Sequence, residues 1–433
     1  MKRIALTIIA VALGVGSASA ADLNLLYGGS NLMTPVQNRL KEHFQLTHPG
    51  ISVNLEPALE YTDAMAITLR QSLIGQAPHF GYFGISDVCI LARRNIAHPL
   101  DDFIASDPEW ASLGMPDSAL EVTKCGSKTY GVPFSASFLV VMFNKQLVAR
   151  AGQDPDHLPK TWPEILELAR KIDATGGGIA FNYDASSSWS FMTLVESEGG
   201  KILSDDGEDI AFDSPEGLKA LQDLADIGAA RHYADMTKAQ ARQAFAAGVL
   251  GILVDSSSGF ANYAKAAAGN FEIAVTPLPL AQNGRLPTSG MAGVLLTSDK
   301  KKSDLAWDYL KYGSSPDGQT LVGKLTGFLP FNRVAIESPE RLASYYSERP
   351  ELAAAAQSLK MAGSWPSFPR SQWAEGSRHY YELHAEGLYG CPGSGRRSES
   401  HGQRNPRIAE VSRRAADPRR RPTRQHRVAE RAG

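Results

Sequence analysis

The sequence is poor in cysteine and in long apolar runs, and both shortages narrow the class of protein. Three cysteines in 433 residues exclude a small secreted domain held together mainly by disulfides. The longest apolar run, Ile4–Leu13, is about half the length of roughly 20 residues that a membrane-spanning helix needs. With 43% apolar and 21% charged residues, the composition is that of a globular protein, and the length predicts two lobes or domains.

The N-terminus has the three parts of a secretory signal peptide. Lys2 and Arg3 precede the apolar run Ile4–Leu13, and Ala18-Ser19-Ala20 follows it with the small residues of a cleavage site. We therefore expect residues 1–20 to be removed after Ala20 and the mature chain to reach the periplasm. No cysteine lies at the cleavage point, so a lipid anchor is not expected.

Two of the three cysteines, Cys89 and Cys125, lie 36 positions apart within the body of the chain. An oxidising compartment permits a disulfide between them, and two buried thiols are the alternative. The sequence leaves both interpretations open. The third cysteine, Cys391, lies where the composition changes.

Catalytic and metal-binding motifs are also lacking. The chain contains no G-x-S-x-G and no H-E-x-x-H sequence, and His379 and His384 are too far apart to share one face of a helix. We predict no catalytic residue, no metal site and no cofactor.

The segment 391–433 differs in kind from the rest. It has twelve arginines, no lysine and four acids, and it lacks Leu, Phe, Trp, Tyr and Met, so it cannot form a packed core. It is either a disordered basic arm or an out-of-frame translation. The remaining 390 residues carry ten more acids than bases, which gives no support to nucleic-acid binding.

From residue 22 onward, short apolar runs alternate with amphipathic segments, which is typical of an α/β fold. We predict strands at Leu23–Tyr27, Phe80–Gly84, Phe138–Phe143 and 251–254. Thr161-Trp-Pro-Glu164 predicts a helix start with a capping box.

Several segments together resemble the extracellular solute-binding proteins of ABC importers. They occur in the family's order: Tyr130-Gly-Val-Pro133, Phe143-Asn-Lys145, Pro159–Glu164, Phe245-Ala-Ala-Gly248, Ala306–Leu310 and Thr326–Pro330. The resemblance covers residues 22–390. It implies two α/β lobes joined by a hinge, with a ligand cleft between them. Residues 22–133 plus 267–325 would form lobe one, and 138–262 plus 328–390 would form lobe two.

Within that family the chain looks most similar to the branch that binds glycerol-3-phosphate, glycerophosphodiesters and sugars. The resemblance implies ligand contacts for five residues: Tyr61, Ser137, Trp162, Ser256 and Arg378. Hydroxyl groups and an arginine fork suit phosphate oxygens, and aromatic faces suit a sugar or glycerol.

Three positions depart from the pattern of that branch. Ile85 replaces a carboxylate, with Asp87 close by on a shifted position, Phe328 replaces a tyrosine, and Met291 replaces a glycine. These changes predict a different phosphodiester or a neutral sugar as the ligand.

The predicted function is capture of such a solute by a monomer and its delivery to an inner-membrane permease. The alternative is an exported hydrolase of phosphodiesters or glycans, which needs paired carboxylates or a metal in the cleft.

Overall fold

The computed structural model describes residues 22–181, 189–205, 207, 209–230, 236–363 and 365–366. These residues form an α/β protein with two main sheets, each at the centre of its own lobe. The predicted signal peptide and the segment 391–433 lie outside the described residues. In the described part of the chain, no helix is long and apolar enough to cross a membrane.

The first lobe is built on a five-stranded sheet with the order β2-β1-β3-β12-β6. Strands β1, β2, β3 and β6 run in one direction, and β12 runs against its neighbours β3 and β6. Its elements are β1 (Leu23–Tyr27), α1 (Ser30–Thr47), β2 (Val53–Pro57), α2 (Tyr61–Leu73), β3 (Phe80–Gly84), α3 (Ile85–Arg93), α4 (Asp101–Ser106), α5 (Asp117–Leu120), β4 (Lys124–Cys125), β5 (Lys128–Thr129) and β6 (Val132–Ser137). Later in the chain follow β12 (Ser289–Leu295), α12 (Lys300–Ser314), α13 (Pro316–Leu325), α14 (Arg333–Glu337) and α15 (Ser344–Ser347).

The second lobe is built on a four-stranded sheet with the order β10-β7-β9-β8, in which β7 runs against β9 and β10. Its elements are β7 (Leu139–Asn144), α6 (Lys145–Arg150), α7 (Trp162–Asp173), β8 (Ile179–Phe181), α8 (Trp189–Ser197), α9 (Pro215–Ala229), α10 (Lys238–Ala246), β9 (Ile252–Ser256), α11 (Phe260–Ala267), β10 (Ile273–Pro277) and α16 (Pro350–Gln357). A small sheet of β11 (Leu286–Pro287) and β13 (Ala362–Gly363) lies where the chain passes between lobes.

The predicted elements are confirmed where the local pattern was strong. β1 and β3 have the predicted bounds, and α7 begins with the predicted capping box, in which the Glu164 carboxylate accepts a hydrogen bond from the Thr161 N–H (3.3 Å). The apolar face of α7 is buried against the second sheet, because its apolar residues repeat at helical spacing.

Two of the expected lobe boundaries need correction. β10 pairs with β7 in the second sheet, so the first-lobe segment predicted as 267–325 begins only near β12. The segment predicted as 328–390 begins in the first lobe, because the Asn332 side chain donates to the carbonyls of Leu113 (2.7 Å) and Ser314 (2.9 Å). The chain returns to the second lobe at α16, which packs on β10.

Cys89 and Cys125 form a disulfide. It joins α3 to the short β4–β5 hairpin, so it braces the first lobe internally. Of the two alternatives left open by the sequence, a disulfide and two buried thiols, the structure has the disulfide.

Candidate functional site

The two sheets present their carboxyl edges to each other. β6 ends at Ser137 and β7 begins at Leu139, so only Phe138 separates the two sheets along the chain. Leu139 is paired with Ser256, the last residue of β9. Ligands of α/β sheets bind outside the carboxyl ends of the strands, so the cleft along these edges is the candidate site.

Tyr61 forms the aromatic part of the first-lobe wall. It begins α2, and its half-buried ring lies against Gly28 and Gly29 after β1 and against Gly84 at the end of β3. A Cβ atom at Gly28 would lie 2.8 Å from the ring, so only glycine permits this approach. Burial, with smaller effects from Glu60 and Asp87, raises the pKa of Tyr61, so its hydroxyl stays protonated and can donate.

Asp87 adds a carboxyl group to the same wall, in the first turn of α3. A Cβ atom at Gly84 would lie 3.0 Å from its Oδ2 and 3.2 Å from the Tyr61 ring, which places both groups at one strand end. Burial raises the pKa of Asp87 to about 7, although hydrogen bonds from Ser86 and Gly84 oppose this shift. No described cation pairs with this carboxyl group, which is typical of functional rather than structural acids.

Ser137 and Ser256 are strand-end residues on either side of the link between the sheets. Ser257 donates its backbone N–H to the Phe138 carbonyl (2.8 Å), and its Oγ accepts from the Phe138 N–H (3.3 Å). The Ser256 and Ser258 hydroxyls are bonded to each other at 2.8 Å. Three consecutive serines thus line the second-lobe edge next to Ser137.

The loop before Phe328 closes this end of the cleft. A side chain at Gly327 would collide with the Ser258 carbonyl, so the backbones of the two lobes touch there. All three positions that depart from the branch pattern, Ile85, Met291 and Phe328, are at most 6% exposed. All three side chains are therefore packed in the interior.

An ion pair with a buried carboxylate supports the second-lobe wall. Arg242 on α10 donates from Nε to Asp255 Oδ2 (2.8 Å) and from Nη2 to Oδ1 (2.9 Å), and the Tyr263 hydroxyl also donates to Asp255. The Asp255 side chain is 1% exposed, whereas that of Arg242 is 40% exposed. Sequence reasoning missed Arg242, because one arginine on a helix gives no motif.

The structure does not bring all five predicted ligand residues together. Tyr61, Ser137 and Ser256 lie along the facing edges. Trp162 is instead 3% exposed in the core of the second lobe, where its ring packs on Phe181 with centroids 6.0 Å apart. Because Pro163 and Glu164 start a helix whose inner face is apolar, the aromatic side chain serves packing there. Arg378 lies outside the described residues.

Two further cavities lie away from these residues. One of ≈ 470 Å³ follows the edge strand β10 between Lys145, Phe271 and Glu351. The other, of ≈ 900 Å³, lies between α3, the β4–β5 hairpin and the end of α8, where burial raises the pKa of Glu196 to about 8. No group of three or more potential metal ligands occurs among the described residues.

Comparisons with known proteins identify relatives of this chain in sequence and in fold. The sn-glycerol-3-phosphate-binding periplasmic protein UgpB of Rhizobium meliloti is 26% identical over 233 residues, which are 50% of this chain and 53% of the relative. The crystal structure of UgpB from Mycobacterium tuberculosis in complex with glycerophosphocholine has a TM-score of 0.74 at 19% identity and covers 92% of this chain and 98% of its own. The cyclic α-maltosyl-1,6-maltose binding protein of Arthrobacter globiformis also has a TM-score of 0.74, at 20% identity, and covers 91% of this chain and 97% of its own.

Both solved structures share the two-lobe fold, which confirms the predicted fold class. The bacterial extracellular solute-binding protein family matches residues 39–354, nearly three quarters of the chain. The protein therefore belongs to the bacterial extracellular solute-binding protein family.

Proposed function

We propose that the protein captures a small hydroxylated solute, a glycerol phosphate, a glycerophosphodiester or a sugar, in the cleft between its lobes. It then delivers the solute unchanged from the periplasm to an inner-membrane permease of an ABC importer. The observation that supports this proposal is the position of Tyr61, Ser137 and Ser256 at a helix start and at strand ends along the facing carboxyl edges of two sheets. The ligands named for UgpB and for the maltosyl-maltose binding protein support the same classes.

The chemistry of the cleft suits such a ligand. The Tyr61 ring offers an apolar face to a glycerol or sugar carbon skeleton, as aromatic side chains do in many binding sites. The serine hydroxyls offer donors and acceptors at the opposite edge, and the carboxyl group of Asp87 can bond ligand hydroxyls. Arg378 remains part of the proposal as a phosphate contact.

A thermal-shift screen followed by calorimetry tests the proposal. The panel contains glycerol-3-phosphate, glycerophosphocholine, maltose and glucose, each incubated with the mature chain. A ligand that binds only the folded state raises the unfolding temperature, by the equivalent of about 2.7 kcal/mol at 100 times its Kd. Unaltered ligand recovered by chromatography is expected, and hydrolysed product would instead support the hydrolase.

Two variants locate the site. Tyr61→Leu and Ser137→Ala should each weaken binding about tenfold, since each removes a ligand contact without leaving a charge buried. Ser347→Ala, at an exposed position on α15, is the matched control and should bind normally. If all three variants bind as tightly as the wild type, the ligand does not bind at this cleft.

A further inference from the structure

The larger of the two cavities is shared by both lobes. The last turn of α3 and the β4–β5 hairpin form its first-lobe wall, and the end of α8 with the loop at 199–205 forms its second-lobe wall. Tyr61, Ser137 and Ser256 are not among the described residues that line it. Its volume of ≈ 900 Å³ lies within the range of roughly 300–1,000 Å³ that is typical of small-molecule sites. The cavity is therefore large enough for a ligand of its own.

Glu196, near the end of α8, places a carboxyl group in this cavity. A Cβ atom at Gly363 would lie 3.4 Å from its Oε2, and its backbone carbonyl accepts from the Arg285 N–H (2.9 Å). Within the described ranges, the Glu196 side chain has neither a hydrogen bond nor an ion pair. Burial raises the pKa of Glu196 to about 8, so at pH 7 most of these carboxyl groups are protonated and can both donate and accept.

The basic residues of the cavity are partly neutralised. Four of them line it, namely Arg93, Lys124, Lys201 and Arg285. Lys124 pairs with Glu121, and Lys201 pairs with Asp205 (2.5 Å). An ionised phosphate is held by several charge-assisted hydrogen bonds, and lysines that are already paired do not supply them. The charges thus favour an uncharged ligand over a phosphate.

Two aromatic side chains complete the lining. Tyr130 and Trp365 are half-buried and both line the cavity. The ring of Trp365 packs beside that of Trp189, with centroids 6.4 Å apart, and the Trp189 indole N–H donates to the Pro287 carbonyl (3.3 Å). Aromatic surfaces combined with a few polar groups are the usual lining of a site for a small organic ligand.

We propose that this cavity is a second solute site, which binds a neutral sugar. Glu196 and Arg285 bond the hydroxyl groups of the sugar, and Tyr130 and Trp365 contact its ring. A hydroxyl group donates and accepts, so it satisfies both a protonated carboxyl group and a guanidinium group. The site is separate from the cleft residues and goes beyond the proposed capture there.

Calorimetry with maltose at pH 7 tests the second site in a variant whose cleft is weakened, Tyr61→Leu with Ser137→Ala. We expect this double variant to keep one maltose site, and the further change Glu196→Ala to lower the affinity of that site about tenfold. Glu198→Ala is the matched control, because Glu198 lies outside the cavity and pairs with Lys219 (3.8 Å). Equal affinities after the Glu196 and Glu198 changes would overturn the proposal. Glycerol-3-phosphate binding that is lost with Glu196→Ala would overturn the neutral ligand class.

Covalent blocking tests the location without removing a lining group from the wall. In the same double variant, Asn283→Cys is labelled with N-ethylmaleimide, since Asn283 is exposed and lines the cavity. The label should lower the maltose affinity at least tenfold. Gln282→Cys, labelled in the same way, is the control, because Gln282 is exposed and does not line the cavity. Equal affinities of the two labelled proteins would place the maltose elsewhere and overturn the proposal.

These measurements separate failure of the second site from failure of the proposed function. If the wild type binds a panel compound and the double variant binds no maltose, the second site is wrong and capture in the cleft stands. If the wild type and the double variant bind maltose equally and Glu196→Ala weakens both, the second site stands and the cleft is not the sugar site.

Discussion

Each lobe places an aspartate at a strand end beside the cleft, and the two aspartates are in opposite situations. Asp255 in the second lobe is bonded by Arg242 and Tyr263. Asp87 in the first lobe has hydrogen bonds from Ser86 and Gly84 but no described cation, and its pKa is raised to about 7. A buried carboxylate that is bonded to a cation supports the fold. A carboxylate without a described cation lowers the stability of the fold, and ligand binding can offset that loss.

The lobes also differ in how they are braced. The first lobe has the Cys89–Cys125 disulfide, whereas the described part of the second lobe contains no cysteine and relies on the Arg242–Asp255 ion pair. A covalent link and an ion pair respond to different conditions, namely reduction and loss of one charge.

The largest effect is expected from the disulfide. Replacing both cysteines, by Cys89→Ser and Cys125→Ser, should lower the free energy of unfolding by about 4 kcal/mol, because a loop of 36 residues is no longer closed in the unfolded chain. Chemical denaturation measures this loss. The wild type under a reducing agent should show the same loss, and an unchanged midpoint in both samples would contradict the prediction.

The second-largest effect on stability is expected from the ion pair between Arg242 and Asp255. Arg242→Met removes the guanidinium group that donates two hydrogen bonds to the buried Asp255 carboxylate and should cost about 3 kcal/mol in urea denaturation. Arg39→Met, which breaks an exposed pair, should cost less than about 1 kcal/mol. Similar losses in the two variants would show that Asp255 is solvated when Arg242 is absent.

Replacing Asp87, the aspartate without a described cation, should change the stability in the opposite direction from the two preceding replacements. Because the pKa of Asp87 is higher in the folded than in the unfolded chain, its contribution to stability is lost as pH rises from about 4 to about 7. Asp87→Asn should therefore be more stable than the wild type at pH 8, on the order of 2 kcal/mol, and equal to it at pH 4. Thermal unfolding across this pH range measures the difference, and parallel curves would contradict it.

The smallest effect is expected at Trp162. Trp162→Phe keeps an aromatic ring in the core and removes an indole N–H that has no hydrogen-bond partner in the described part of the chain, so it should cost about 1 kcal/mol. Ligand affinity measured by calorimetry should stay within twofold of the wild type. A tenfold loss of affinity would show that Trp162 contributes to ligand binding.

These outcomes show which parts of the molecule the sequence could predict. β1, β3 and the capping box at Thr161 depend on neighbouring residues, so local periodicity and cap chemistry suffice for them. The partner of β10 depends on contacts with β7, about 130 residues earlier, and an amphipathic pattern says nothing about partners.

The residues of the candidate site also differ in how far the sequence could indicate them. Tyr61, Ser137 and Ser256 are proposed from the family resemblance; they lie at a helix start and at strand ends, and their ligand contacts stay predictions. The burial of Trp162 could not be predicted, because an aromatic residue at a helix start fits a binding wall and a core equally well by sequence, and its ligand contact stays a prediction. Arg242 could not be found, because its role depends on a buried carboxylate 13 positions later in another element.

The pairing of β12 with β3 and β6 has a consequence for the order in which the protein folds. Met291 is bonded to Gly84 and lies beside Ser135, although the whole sheet of the second lobe is encoded between Ser135 and Met291. The first lobe therefore cannot complete its sheet until the second has been synthesised, and such distant pairings fold slowly. The first sheet is thus closed over an insertion that contains the second, and a solute bound at their shared edge should protect backbone amides in both lobes from hydrogen exchange.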